Sequence, residues 1–205
     1  MQASDLSFRD LCHKLCYISN GKNFKAFAEH LPNADESDGV LAYGYIDHTA
    51  GLSFEILACA KLGKDNNITI FEGNENVSLK YRFGSIFDCD VFMIEDESLR
   101  KRFSDKIEMI EENYQVSASV SDTRNIAVID ESRSQEYPDD VWVILVRGNN
   151  QPEGCWVRCE GIGENGIYGI LLNEPNADFS VHSGDGIEFG VVEDEESIMC
   201  VAVFE

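Results

Sequence analysis

The stretch 155–175, CWVRCEGIGENGIYGILLNEP, constrains this chain more than any other. Two apolar, β-prone runs flank Asn165-Gly166, the pair that most readily fills both φ > 0 positions of a type I′ hairpin turn. With that turn at the centre, Val157, Cys159, Gly161 and Gly163 share a face with Tyr168, Ile170 and Leu172. Small residues then oppose large ones, as a packed sheet face requires. The other face carries Trp156, Arg158, Glu160 and Ile162 beside Ile167 and Leu171, so it is half polar and a second layer is expected over part of it. No reaction centre lies in this hairpin.

Upstream, Phe8, Leu11, Cys12 and Leu15 recur at helical spacing behind Ser4 and Asp5, which predicts a first helix from about Asp5 to Tyr17. Phe24, Phe27, Ala28 and Leu31 predict a second, shorter one, ended by Pro32 and the polar run NADESDG. From Val40 to Ile94 the pattern becomes that of a meander. Alternate residues from Leu52 to Leu62 are apolar and read as strand, with helix as the alternative because EILACAKL also has good helix propensity. Leu99, Phe103, Ile107, Ile110 and Tyr114 then form the buried stripe of a charged helix starting near Asp96. Beyond Tyr114, SASVS, NIAVID, DVWVILV, GIEFGVV and SIMCVAVF are short and β-branched or alternating, and read as strands.

These patterns predict an α+β protein, with N-terminal helices, an antiparallel meander and one charged helix followed by a mostly β C-terminal part. Basic residues almost vanish after the charged helix, which divides the chain into an α+β domain over 1–115 and an antiparallel β domain over 116–205. The boundary falls within 115–140, and the two parts either stand alone or pack as one unit.

The charge balance narrows the partners. Sixteen basic and 38 acidic side chains give a net charge of −22. Residues 1–107 contribute −5 of this and residues 108–205 contribute −17. Such a surface repels nucleic-acid phosphates and anionic lipid, and it attracts a basic protein. The carboxylates expected to meet that partner are Asp139 and Asp140 in a loop, Glu160 and Glu164 on the hairpin, and the acidic turn Glu193, Asp194, Glu195 and Glu196. The N-terminus lacks the apolar core of a signal peptide and no run approaches membrane-spanning length, so a cytoplasmic protein is expected. Seven scattered cysteines in apolar surroundings read as buried thiols used as small hydrophobes.

Candidate chemistry is thin. Gly161-Ile-Gly-Glu-Asn-Gly166 spells G-x-G-x-x-G, but a strand follows it rather than a helix, and Glu164 would oppose a phosphate. The pairs Cys12/Cys16 and Cys155/Cys159 have three-residue spacers instead of the two-residue knuckle usual for structural zinc. His48 and His182 occupy loops with an Asp nearby, the one arrangement that suggests a hydrolase, yet no motif accompanies either. Neither a cofactor nor a metal is expected.

One resemblance adds to this reading. Trp156-Val157, then Gly169, Leu171, Asn173 and Pro175, then Gly184-Asp185, follow the order of a small bacterial β domain of unknown function found in short cytoplasmic proteins. The match covers about 140–192, and Glu193–Glu196 stand where that family often carries a closing aromatic. The resemblance implies a β fold and a bacterial, cytoplasmic setting, and it carries no catalytic residue.

The function expected is that of a non-catalytic acidic binding protein, most sharply an immunity-type protein that neutralises a basic toxin. The alternatives are a regulatory or accessory module acting on another cellular protein, and a hydrolase-type enzyme using His48 or His182.

Overall fold

A computed structural model describes the chain except for residues 21–23, 25–29, 65–66, 74–76 and 194–196. The described residues are mostly β, with eleven strands and only short helices, so the expected α+β architecture with N-terminal helices is corrected. Residues divide into two units, Met1–Gln115 and Val116–Glu205.

The first unit is built on a six-stranded antiparallel sheet. Its strands are β1 (Leu15–Ser19), β2 (Gly39–Asp47), β3 (Gly51–Leu62), β4 (Ile68–Gly73), β5 (Lys80–Arg82) and β6 (Val91–Ile94). They run in the order β4-β3-β2-β1-β6, with β5 also paired to β3. The predicted first helix is where the sequence misleads most. A single helical turn, α1 (Phe8–Leu11), is capped by Ser7, and the chain then turns at His13, whose φ is 59°. Leu15 to Ile18 enter the sheet between β2 and β6 and are buried on both faces. The predicted second helix lies largely outside the described residues, although Phe24 and Leu31 reach the core.

Both faces of the sheet are covered, which explains why β2 and β3 are apolar almost throughout. One face packs Ile18, Val40, Phe54 and Ile56 against Leu11, Phe83 of α2 (Phe83–Ile86) and the N-terminal segment. The other packs Leu41, Tyr43, Tyr45 and Leu57 beneath Ile107 and Ile110. Those two side chains belong to α4 (Ser104–Asn113), and full burial of each stabilises by about 1.5–3 kcal/mol. The single charged helix expected from Asp96 is broken at Phe103 into α3 (Glu97–Arg102) and α4. Asp96 still caps its start, accepting from the Ser98 and Leu99 amides. Beneath α4 the carboxylate of Glu55, 2% exposed, lies 3.4 Å from Lys106 Nζ. The same ammonium donates to the Ile56 and Val77 carbonyls, so the buried carboxylate is held by a half-buried, hydrogen-bonded cation.

The second unit is a closed barrel of β7 (Asp140–Arg147), β8 (Glu153–Ile162), β9 (Ile167–Leu171), β10 (Gly186–Glu193) and β11 (Ile198–Phe204). The five strands run as an antiparallel meander, and an odd number requires the closing pair, β11 with β7, to be parallel. Val143, Cys155, Val157, Cys159, Leu171, Phe189 and Cys200 fill the interior. SASVS and NIAVID, expected as strands, are helical. Ser117 caps α5 (Ala118–Arg124), and a 3-10 segment spans Ala127–Ser132.

The hairpin of 155–175 forms, with a different register and turn. A bulge between Cys159 and Gly161 shifts the pairing, so the inward set is Val157, Cys159 and Gly161 with Ile167, Gly169 and Leu171. Tyr168 and Ile170 therefore leave the face assigned to them from the alternation. Gly166 is not among the glycines at positive φ. Its role is close approach, since a β-carbon there would lie 2.3 Å from the Phe189 carbonyl oxygen.

Candidate protein-binding surface

The acidity of the second unit acquires a structure once its arginines are placed. Residues 116–205 hold eighteen carboxylates and four arginines, a net charge of −14. All four arginines are ion-paired inside the unit: Arg124 with Asp139, Arg133 with Asp130, Arg147 with Asp178 and Arg158 with Asp140. Arg124 and Arg158 grip their partners with two nitrogens each. The bond to Asp140, more than any other influence, raises the pKa of Arg158 further.

Two of the carboxylates assigned to a partner are therefore engaged within the barrel. Asp139 is 2% and Asp140 7% exposed, each facing its arginine. Glu160 is half-buried on the outer side of β8. Glu164 is exposed at the hairpin tip, and Glu193 is exposed at the end of β10. Asp194, Glu195 and Glu196 lie outside the described residues.

What the sequence reading missed is an apolar row across the outside of the barrel. Trp142 on β7 and Trp156 on β8 are direct cross-strand partners, with ring centroids 5.0 Å apart in an edge-to-face arrangement. Gly154 lets the Trp142 ring lie across β8, because a β-carbon there would come within 2.2 Å of the indole. Met199 stands beside Trp142 one position earlier in the β11–β7 register, and Val192 pairs with Met199. Trp142 is 41%, Met199 39% and Val192 46% exposed, and Val203, further along β11, is 77% exposed. The signal was present: VWVILVRGNNQPEGCWV is symmetric about a turn at Gly148–Asn150, which brings the two tryptophans face to face.

The remaining candidates lie in turns or in the core. The backbone amides of Glu164 and Asn165, which a phosphate would need, donate to the Glu188 carboxylate instead. Cys155, Cys159 and Cys200 point into the barrel core, and burial pushes the Cys159 thiol up to about 12. Burial also takes Cys16 to about 12. Protonated thiols in such surroundings make poor nucleophiles and poor metal ligands. His48 sits in the β2–β3 turn, where Asp47 accepts from the Thr49 and Ala50 amides. His182 Nδ1 is 2.7 Å from Glu174, on the surface, and Glu174 also accepts from the Ser183 amide. That arrangement ties down a loop. In the first unit a cleft of about 390 Å³ is lined by Leu57, Arg102, Lys106 and Met109, but Arg102 donates to the Phe71 carbonyl and Lys106 faces Glu55.

The residues carrying the family resemblance also have local jobs. Asn173 accepts from the Trp156 amide, Gly184 turns the chain at φ 95°, and Asp185 accepts from the His182 amide. No protein-family model, curated protein or solved structure matches the chain. Among the described residues, no helix is long and apolar enough to cross a membrane.

Proposed function

We propose that this protein is a non-catalytic acidic binding protein that captures a basic protein, with a bacterial immunity-type protein neutralising a basic toxin as the sharpest form of that reading. One observation carries it. Every arginine of the second unit is ion-paired with a carboxylate of the same unit, and its eighteen carboxylates against four arginines leave a net charge of −14. The field of such a charge accelerates encounter with a cationic partner and rejects anionic ones. The hydrolase alternative draws less support, because His182 is hydrogen-bonded to Glu174 at the surface and burial raises the pKa of Cys155, Cys159 and Cys200, which disfavours the nucleophilic thiolate.

The test is kinetic. The chain is co-expressed with the product of the gene beside its own, and association is followed by stopped flow. Raising salt from about 0.05 to 0.5 M shortens the Debye length from roughly 14 to 4 Å. Association is expected to slow at least tenfold while dissociation changes little. A tight partner that is itself acidic, or an association rate indifferent to salt, overturns the proposal. A regulatory module would show the same salt dependence toward a basic protein encoded elsewhere.

A further inference from the structure

Long-range charge draws a partner in but does not hold it in one place; that takes a desolvated, apolar contact. The outer wall of the barrel offers one. Trp142 and Trp156 are fixed by each other and by the ring-over-glycine contact at Gly154, so little side-chain entropy remains to be lost on binding. Val192 and Met199 extend the row across two more strands, and Val203 lies further along β11. The row has a polar rim, with exposed Glu193 following Val192 and the Asp140–Arg158 pair two positions beyond Trp142 and Trp156.

We propose that this row is the docking surface for a basic protein face that presents arginine side chains among apolar ones. The proposal rests on the acidic-binder reading and names where on the second unit the contact is made. Charge selects the occupant. A guanidinium stacks on an indole face, is weakly hydrated, and brings the positive charge that the surrounding field favours. A second copy of this chain would bring another −14 unit against the first and is disfavoured for the reason that favours arginine.

The experiment uses the full chain and isothermal titration calorimetry with a defined probe, an amidated peptide of alternating arginine and leucine. The control is its glutamate–leucine counterpart. The arginine peptide is expected to bind at about 0.05 M salt and to weaken as salt rises, and the glutamate peptide to show no binding. Trp142→Ala is expected to weaken the arginine peptide about tenfold or more while leaving its salt dependence unchanged. Val203→Lys, at a position exposed enough to spare the fold, is expected to weaken it as well. If the wild type shows no salt-sensitive binding, the acidic-binder reading falls and the docking surface falls with it. If binding is salt-sensitive but indifferent to both substitutions, the surface is wrong and the broader reading stands. Equal binding of the glutamate peptide would overturn the arginine assignment.

Discussion

Arg158→Met is the most informative single perturbation of the barrel. Arg158 and Asp140 are cross-strand partners on β8 and β7, joined by Nε at 2.8 Å and a terminal nitrogen at 3.2 Å. The methionine keeps the length of the stem but removes both charge-assisted bonds and leaves Asp140 facing an apolar group. Breaking one side of a buried ion pair costs about 3–5 kcal/mol. The two side chains retain 20% and 10% exposure, which places this pair at the lower end, about 3 kcal/mol. Arg158→Lys keeps the charge and loses the fork, and should cost about 1–2 kcal/mol. Replacing both partners, Asp140→Leu with Arg158→Met, should restore stability to within about 1–2 kcal/mol of wild type. Urea unfolding followed by tryptophan emission is the assay, since the only two tryptophans, Trp142 and Trp156, flank the pair and report on the second unit alone. At an m-value of about 1–1.5 kcal/mol/M, Arg158→Met lowers the midpoint by roughly 2–3 M. A loss under about 1 kcal/mol, or a double variant whose cost is the sum of the singles, would show that Asp140 does not depend on this arginine.

Three further outcomes follow from the geometry. Gly166→Ala should destabilise by about 1–3 kcal/mol through its clash with the Phe189 carbonyl; a neutral result in the same urea assay would refute the close approach. His182 should titrate above the ordinary histidine value, because Glu174 hydrogen-bonds and attracts the imidazolium, and Glu174→Gln should return it toward that value in an NMR titration. The sign follows from the raised folded value: whatever this pair adds to stability is fully present below the unfolded histidine pKa and fades as pH rises through the folded one. Native protein should react with a thiol reagent first at half-buried Cys12, and at the six buried cysteines only on unfolding. Rapid labelling of Cys155 or Cys159 in folded protein would contradict their place in the barrel core.

Short-range pattern reached some elements of this chain and missed others for identifiable reasons. The alternation from Leu52 to Leu62 corresponds to β3, and the runs on either side of Asn165-Gly166 to β8 and β9. The stripe Phe8, Leu11, Cys12 and Leu15 has helical spacing by coincidence. Leu15 to Ile18 are buried on both faces between β2 and β6, and a strand covered on both sides carries no period-2 signature to betray it. α5 was illegible for the opposite reason: only Val120 and Thr123 on it are buried, too few to print a stripe.

The sequence by itself determined the strong negative charge, its concentration in the second half, and the local strand and turn preferences, because these depend on composition and near neighbours. Tertiary structure alone decided which carboxylates remain outside. Asp139 and Asp140 look like an acidic loop until Arg124 and Arg158, from α5 and β8, fold onto them. It also decided the register of the hairpin, through the Cys159/Gly161 bulge, and the closure of the barrel by β11 against β7. A parallel pair joined across the intervening strands has no local signal, since its hydrogen bonds form only after the rest of the meander has curled. The row from Val192 to Trp156 is assembled by that closure, from four strands that are not all neighbours in sequence.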